Sequence, residues 1–165
     1  MPPEQPTLAD LAAEEEELRF AGFTHDDAWA LGSALVATAR QADAPVAIGI
    51  TRSGHRLFHA ALPGATPDND AWIERKTRVV DRFAHSSLYV GQLARDEGST
   101  VEEMFGLDPK LFAAHGGAFP ILVRSVGPVG VVAVSGLPQL EDHRMVVAAV
   151  RAFLAETQDR PGSAG

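Results

Sequence analysis

Cysteine is absent from this 165-residue chain. That absence excludes disulfides, thiolate nucleophiles, zinc–thiolate sites and covalent c-type haem attachment. Positive charge is scarce as well: 14 Lys and Arg against 22 Asp and Glu give a formal net charge of -8. Nucleic-acid binders usually carry a basic footprint, so no nucleic-acid partner is expected, and anionic lipid would repel the chain. No apolar run approaches the length of a membrane span, so no membrane partner is expected. The opening segment, MPPEQPTLADLAAEEEELRF, lacks the basic start and apolar stretch of a secretory signal. A cytoplasmic location is the expectation.

Several catalytic signatures are missing too. Ser135 sits in Val-Ala-Val-Ser-Gly rather than in the Gly-x-Ser-x-Gly of a nucleophile elbow. Phosphate-loop and dinucleotide fingerprints do not occur, and Gly127 to Gly130 falls between two strand patterns instead of between a strand and a helix. None of the six histidines belongs to an HExxH motif.

What is present reads as one globular unit, since 45% hydrophobic residues in a chain of this length suffice for a single core. The expected organisation is a flexible N-terminus over 1–6, a single domain over 7–157 and a flexible tail over 158–165. Thr7 caps a first helix, with Asp10 completing a capping box. Glu14 to Glu17 then make an acidic run that reads as a solvated face or a partner-docking strip. Thr24 caps a second helix reaching Gln41, with Ala28, Trp29, Leu31, Leu35, Val36 and Ala39 on its apolar arc.

Val46 to Thr51 and Arg56 to Leu62 predict a β-hairpin, and Ala47 with Gly49 leave one face of its first strand open to close approach. A third helix, capped by Asp68 or Asn69, runs to Ala84. Short helices are predicted over Ser87 to Arg95 and from Ser99 or Thr100. Strands follow at Phe119 to Arg124 and Val129 to Val134, the second apolar on both faces as in a sheet centre. A last helix spans Leu140 to Glu156.

The third helix carries the main chemical signal. On a helical wheel Lys76 falls near the centre of the arc formed by Trp72, Ile73, Val79, Val80 and Phe83, while Arg75, Arg78 and Arg82 form a basic strip beside it. A buried lysine needs a counter-charge, carbonyls or an anion. Lys76 and Arg75 are therefore either a clamp for a small anionic ligand or parts of an internal ion pair. His143 lies on the apolar face of the last helix, either as a hydrogen-bonded core residue or as an axial or proton-shuttling group. His115 precedes Gly116-Gly117, a turn whose exposed N–H groups can hold an anion or simply reverse the chain. His59 alternates with Leu57 and Ala61. His85 closes the third helix, where it complements the helix dipole.

Taken together, His115-Gly116-Gly117-Ala118-Phe119-Pro120, Gly127 to Gly130, and Val134-Ser135-Gly136 followed by Asp142 resemble the GlcG/HbpS-like heme-degrading domain family. One residue more separates Gly-Gly from proline than in the family pattern, which puts the shape of that loop in question. HDDAWALG at 25–32, DNDAWIERK at 68–76, RFAHSS at 82–87 and FGLDP at 105–109 resemble an uncharacterised bacterial and fungal branch of it, over residues 7 to 157.

The resemblance implies an α+β, profilin-like α/β/α three-layer domain with a five-stranded antiparallel sheet. The segment from Leu18 to Phe23 is the candidate for the fifth strand. It also implies homodimers or larger rings, and haem as the cofactor. With that ligand in view, His115, His143 and His59 are the candidate ligand residues, in that order, with Gly116, Gly117, Lys76 and Arg75 beside them. Two rival readings stand: a non-enzymatic oligomeric adaptor or chaperone-associated protein, and an enzyme acting on a small acid through Lys76 and the basic strip.

Overall fold

The computed structural model describes residues 4–158. Of the two expected flexible ends, residues 1–3 and 159–165 lie outside the described residues, and Gln158 closes the last helix.

The elements run α1 (Leu8–Glu17), β1 (Arg19–Phe20), α2 (His25–Gln41), β2 (Ala47–Arg52), β3 (His55–Ala61) and α3 (Pro67–Phe83). They continue with α4 (Ser87–Asp96), α5 (Val101–Phe105), β4 (Ala118–Val123), β5 (Gly127–Ser135) and α6 (Gln139–Gln158). Local chemistry explains most boundaries. Thr7 with Asp10 and Thr24 with Asp27 form reciprocal capping boxes at α1 and α2. α3 starts earlier than Asp68 or Asn69 would place it, because Pro67 is pre-shaped for a first helical turn and Thr66 takes the cap position. Between β2 and β3, Ser53 and Gly54 have φ of 49° and 78°, the two left-handed residues of a tight hairpin turn that suits strand twist.

The five strands lie in the order β1-β4-β5-β2-β3. The sheet is mixed, not purely antiparallel as expected. β1 runs parallel to β4, with Arg19 opposite Leu122 and Phe20 opposite Val123, whereas the other pairs are antiparallel. Parallel neighbours need a long crossover, and here the chain from α2 through α5 supplies it. β5 is central, as its two apolar faces predict. Val132 and Val134 point into the larger core beneath α2 and α6, with Leu31, Leu35, Ile48, Ile121, Val146 and Val150. Val131 and Ala133 point to the opposite face, where they meet Ile73 and Val80 of α3. Gly49 lies on that second face, and a Cβ there would sit 3.4 Å from Ile73. The close approach read from the small-residue face is that of α3.

Two expectations for the surface are corrected. Trp29 leaves the apolar arc of α2 and is 67% exposed, resting edge-on against Phe58 at 5.6 Å. The acidic run of α1 is a solvated face only in part: Glu16 and Glu17 are exposed, Glu15 is buried, and all four carboxylates have partners within the chain. Glu14 reaches His143, buried Glu15 reaches His85 and the Ser86 N–H, Glu16 reaches Arg19 and Glu17 reaches Arg151. Leu11 seats the helix on Leu88 and Leu140, so α1 ties α4 to α6. His85 therefore serves that tie, bound to Glu15 at 2.6 Å, as well as standing at the end of α3.

Candidate functional site

α3 lies across the sheet with Val79 and Val80 buried, which carries Lys76 inward on the same side. Its Nζ donates to the Val134 carbonyl at 3.1 Å and to Oδ2 of Asp142 at 3.2 Å. Asp142 belongs to the first turn of α6, where a carboxylate is favoured by the helix dipole. It also accepts the Leu137 N–H at 3.0 Å and the Gly136 N–H at 3.4 Å. Lys76 is 3% exposed and Asp142 1%. Burial lowers the Lys76 amine below its ordinary value and raises the Asp142 carboxyl, and their mutual attraction opposes both shifts.

The Gly116-Gly117 turn sits against this pair. At Gly117, φ is 130°, and a Cβ would lie 2.4 Å from the Val134 oxygen and 2.7 Å from the Lys76 Nζ. The Gly116 N–H donates to the Gln139 side chain at 3.0 Å. One donor of the expected anion-holding turn is thus spent inside the protein.

His115 stands at the mouth of the turn. Its ring meets Trp72 edge-on at 5.1 Å, and the Arg75 guanidinium covers the Trp72 ring at 4.0 Å. Partial desolvation first, then the nearby Lys76, Arg95 and Arg75 charges, hold the imidazole below its ordinary value, with Glu102 opposing. The neutral ring is therefore favoured at neutral pH. Two clefts flank it, and both are lined by Trp72 and His115. One, of about 290 Å³, is walled by Arg75, Arg95, Thr100 and Glu102; the other, of about 260 Å³, by Asn69, Lys76, Gln139 and Asp142. Among the described residues, neither Arg75 nor Arg95 has a carboxylate within ion-pair distance; Arg75 donates to the Pro109 carbonyl at 3.4 Å and Arg95 to Gln92.

The structure thus brings together Lys76, Arg75, His115, Gly116 and Gly117. His59 lies elsewhere, and His143 adjoins Gly116, its Cβ 3.3 Å from where a Cβ there would stand, but turns its ring away from the site. His143 is 3% exposed and points its Nε2 at Glu14, 2.6 Å away, with its ring beside Phe119. His59 is exposed on β3, bound to Asp70 at 2.8 Å in a separate cleft of about 210 Å³. Sequence reasoning left out Arg95, Asn69 and Gln139 as site residues and read Trp72 as core; Asn69 and Trp72 lie in the 68–76 motif, whereas Arg95 and Gln139 belong to none. Among the described residues no group of three His, Asp or Glu is placed to hold a metal ion, and no helix is long and apolar enough to cross a membrane.

A five-stranded sheet between helices, with a glycine turn and an α3 lysine meeting at one end, describes an α+β module of the profilin-like type. The chain belongs to a family of that architecture, the HbpS-like haem-degrading proteins, whose family model matches residues 23–151. It is 58% identical to a UPF0303 protein of Streptomyces coelicolor over 93% of this chain and 98% of that one. The crystal structure of the Ybr137w protein superposes with a TM-score of 0.85 at 39% identity, covering 92% of this chain and 90% of that chain. A PduOC:heme complex shares the fold at a TM-score of 0.67 and 20% identity, over 79% of this chain and 94% of that chain.

Proposed function

We propose that this protein is a small-molecule binding module whose ligand is haem or a related tetrapyrrole, held at the clefts around His115. The carrying observation is the donor set: an imidazole biased to its neutral form, beside Trp72 and two arginines without carboxylate partners. Neutral imidazole is the form that ligates iron, and guanidinium is suited to propionate carboxylates. These residues fit the group. Each cleft alone lies at or below the small end of ligand pockets, roughly 300 Å³, so a macrocycle must use both sides of the shared Trp72–His115 wall. In this reading His115 would ligate the iron and Arg75 and Arg95 would hold the acidic edge, since Lys76 is already engaged by Asp142. Bound haem supplies oxygen chemistry at its iron; the chain supplies the imidazole, the cations and a partly dry surface.

Hemin titration of the purified protein, followed by aerobic addition of ascorbate, tests this. A saturable Soret shift near one haem per chain, lost in His115→Ala and kept in His143→Ala and His59→Ala, is the expected result. Bleaching by ascorbate identifies degradation, and a stable spectrum identifies a carrier or sensor. Featureless, non-saturating absorbance overturns the proposal.

A second reading, self-association as an oligomeric adaptor, is favoured by one surface. Between α2 and α6 runs a groove of about 370 Å³ walled by Ala30, Ala34, Ala149 and Phe153, with exposed Trp29 projecting from α2. A second copy of this chain is its proposed occupant, in line with the implied homodimer or ring. Light scattering of Ala149→Glu against the parent protein tests it, and an unchanged mass removes this groove as the interface.

A further inference from the structure

Haem binding leaves Lys76 unexplained. An ionisable amine at 3% exposure is costly where a methionine would fill the same space. An ammonium carries three donors, yet among the described residues Lys76 has two acceptors, the Val134 carbonyl and Asp142. Lys76 nevertheless forms part of the wall of the 260 Å³ cleft with Asn69, His115 and Asp142. The Gly117 backbone packs directly against the pair, so that a Cβ there would stand 2.7 Å from Nζ and 3.0 Å from the Asp142 Cβ. Finally, burial pushes the amine and the carboxyl in opposite directions, so a proton can pass from nitrogen to oxygen without changing the charge of the pair.

We infer that Lys76 is a nucleophilic amine that forms an imine with a small polar aldehyde or ketone admitted to this cleft, with Asp142 as its proton carrier. The Nζ lone pair adds to the carbonyl carbon, and the carbonyl π pair moves to oxygen, which takes the proton held by Asp142. The nitrogen, now bearing an extra proton, returns one to Asp142, leaving a neutral carbinolamine. Asp142 then protonates the hydroxyl, water leaves, and the nitrogen lone pair closes the C=N bond. The resulting iminium faces the Asp142 carboxylate where the ammonium stood. Atoms balance as amine plus carbonyl giving imine plus water, with no oxidant or reductant. The cleft, at about 260 Å³, suits a carbonyl compound smaller than a drug-sized ligand.

The chain contains two lysines, Lys76 and Lys110, and exposed Lys110 is an internal reference. The full-length protein is incubated with glycolaldehyde and cyanoborohydride at neutral pH, without hemin, and the reduced adducts are mapped by peptide mass spectrometry. Lys76 is expected to be modified about tenfold or more faster than Lys110, because an ordinary lysine is almost wholly protonated there. Unfolding in urea should abolish the preference. Modification of Lys110 at an equal or greater rate in the folded protein overturns the inference. Since no haem is present, the result stands or falls independently of the hemin titration.

Discussion

Nε2 of His143 lies 2.6 Å from Oε1 of Glu14, joining the last helix to the first across most of the chain. A residue that looks like an iron ligand on a helical wheel thus has a structural partner, and an acidic run that looks like solvated surface is a row of attachments. Glu15, next in the row, is the buried member. It accepts the Ser86 N–H at 2.8 Å as well as meeting His85.

Replacing Glu15 by alanine should therefore orphan a buried backbone donor at the start of α4. The expected loss is about 1–3 kcal/mol in urea unfolding. Glu16→Ala, which removes an exposed pair with Arg19, should cost about 1 kcal/mol or less. Equal effects would mean that α1 is not anchored through Glu15.

Asp142→Asn should be the more damaging change, since it leaves a buried ammonium without its counter-charge; breaking such a pair costs about 3–5 kcal/mol. A Lys76→Met/Asp142→Asn double variant should recover most of that loss, because the asparagine oxygen can still accept the Leu137 N–H. The pH dependence has a defined sign. Asp142 is raised from 3.8, so above 3.8 the folded state holds its proton more tightly than the unfolded state, and stability falls as pH climbs through that window. Lys76 is lowered from 10.5, so the unfolded state binds more protons below that value, and stability rises as pH approaches 10.5. Urea unfolding at a series of pH values should show both slopes in the parent and weaker ones in the double variant, where Asp81, likewise raised by burial, keeps part of the acid-side slope.

Gly117→Ala should be poorly tolerated, because a left-handed φ and a backbone oxygen 2.4 Å from the new methyl act together. Strain and overpacking each contribute about 1–3 kcal/mol. Gly22→Ala, where a Cβ meets nothing within 4 Å, is the matched control. Thermal melts of the two variants give the comparison, and equal melting temperatures would show that the turn can relax away from Lys76.

Elements whose ends are written in local chemistry were legible in the sequence. Thr7 and Thr24 announce their helices through side chains three residues from their partners, and Ser53-Gly54 announces a tight turn. The inward position of Lys76 follows from helical periodicity alone. What periodicity cannot supply is distance between elements. Nothing local indicates that β1 pairs in parallel with β4, since that register depends on where the intervening chain returns. The same holds for the site: Asp142 reads as a helix-start carboxylate, and its bond to Lys76 exists because the β5 terminus and α6 bring it beneath α3. Arg95 and Trp72 reach His115 through packing of separate helices, for which no spacing in the sequence stands as a sign.

The parallel pairing of β1 with β4 also sets an order of events during synthesis. The ribosome releases Arg19 and Phe20 early, but their strand neighbours Leu122 and Val123 emerge only after α5. α1 must wait longer still, because the Glu14 and Glu17 partners, His143 and Arg151, lie in the final helix. Non-local pairing of this kind defers its stabilisation until the loop can close. A segment made before its partners thus settles after them, and until α6 emerges the Glu14 and Glu17 side of its helix is open to whatever binds nascent chains.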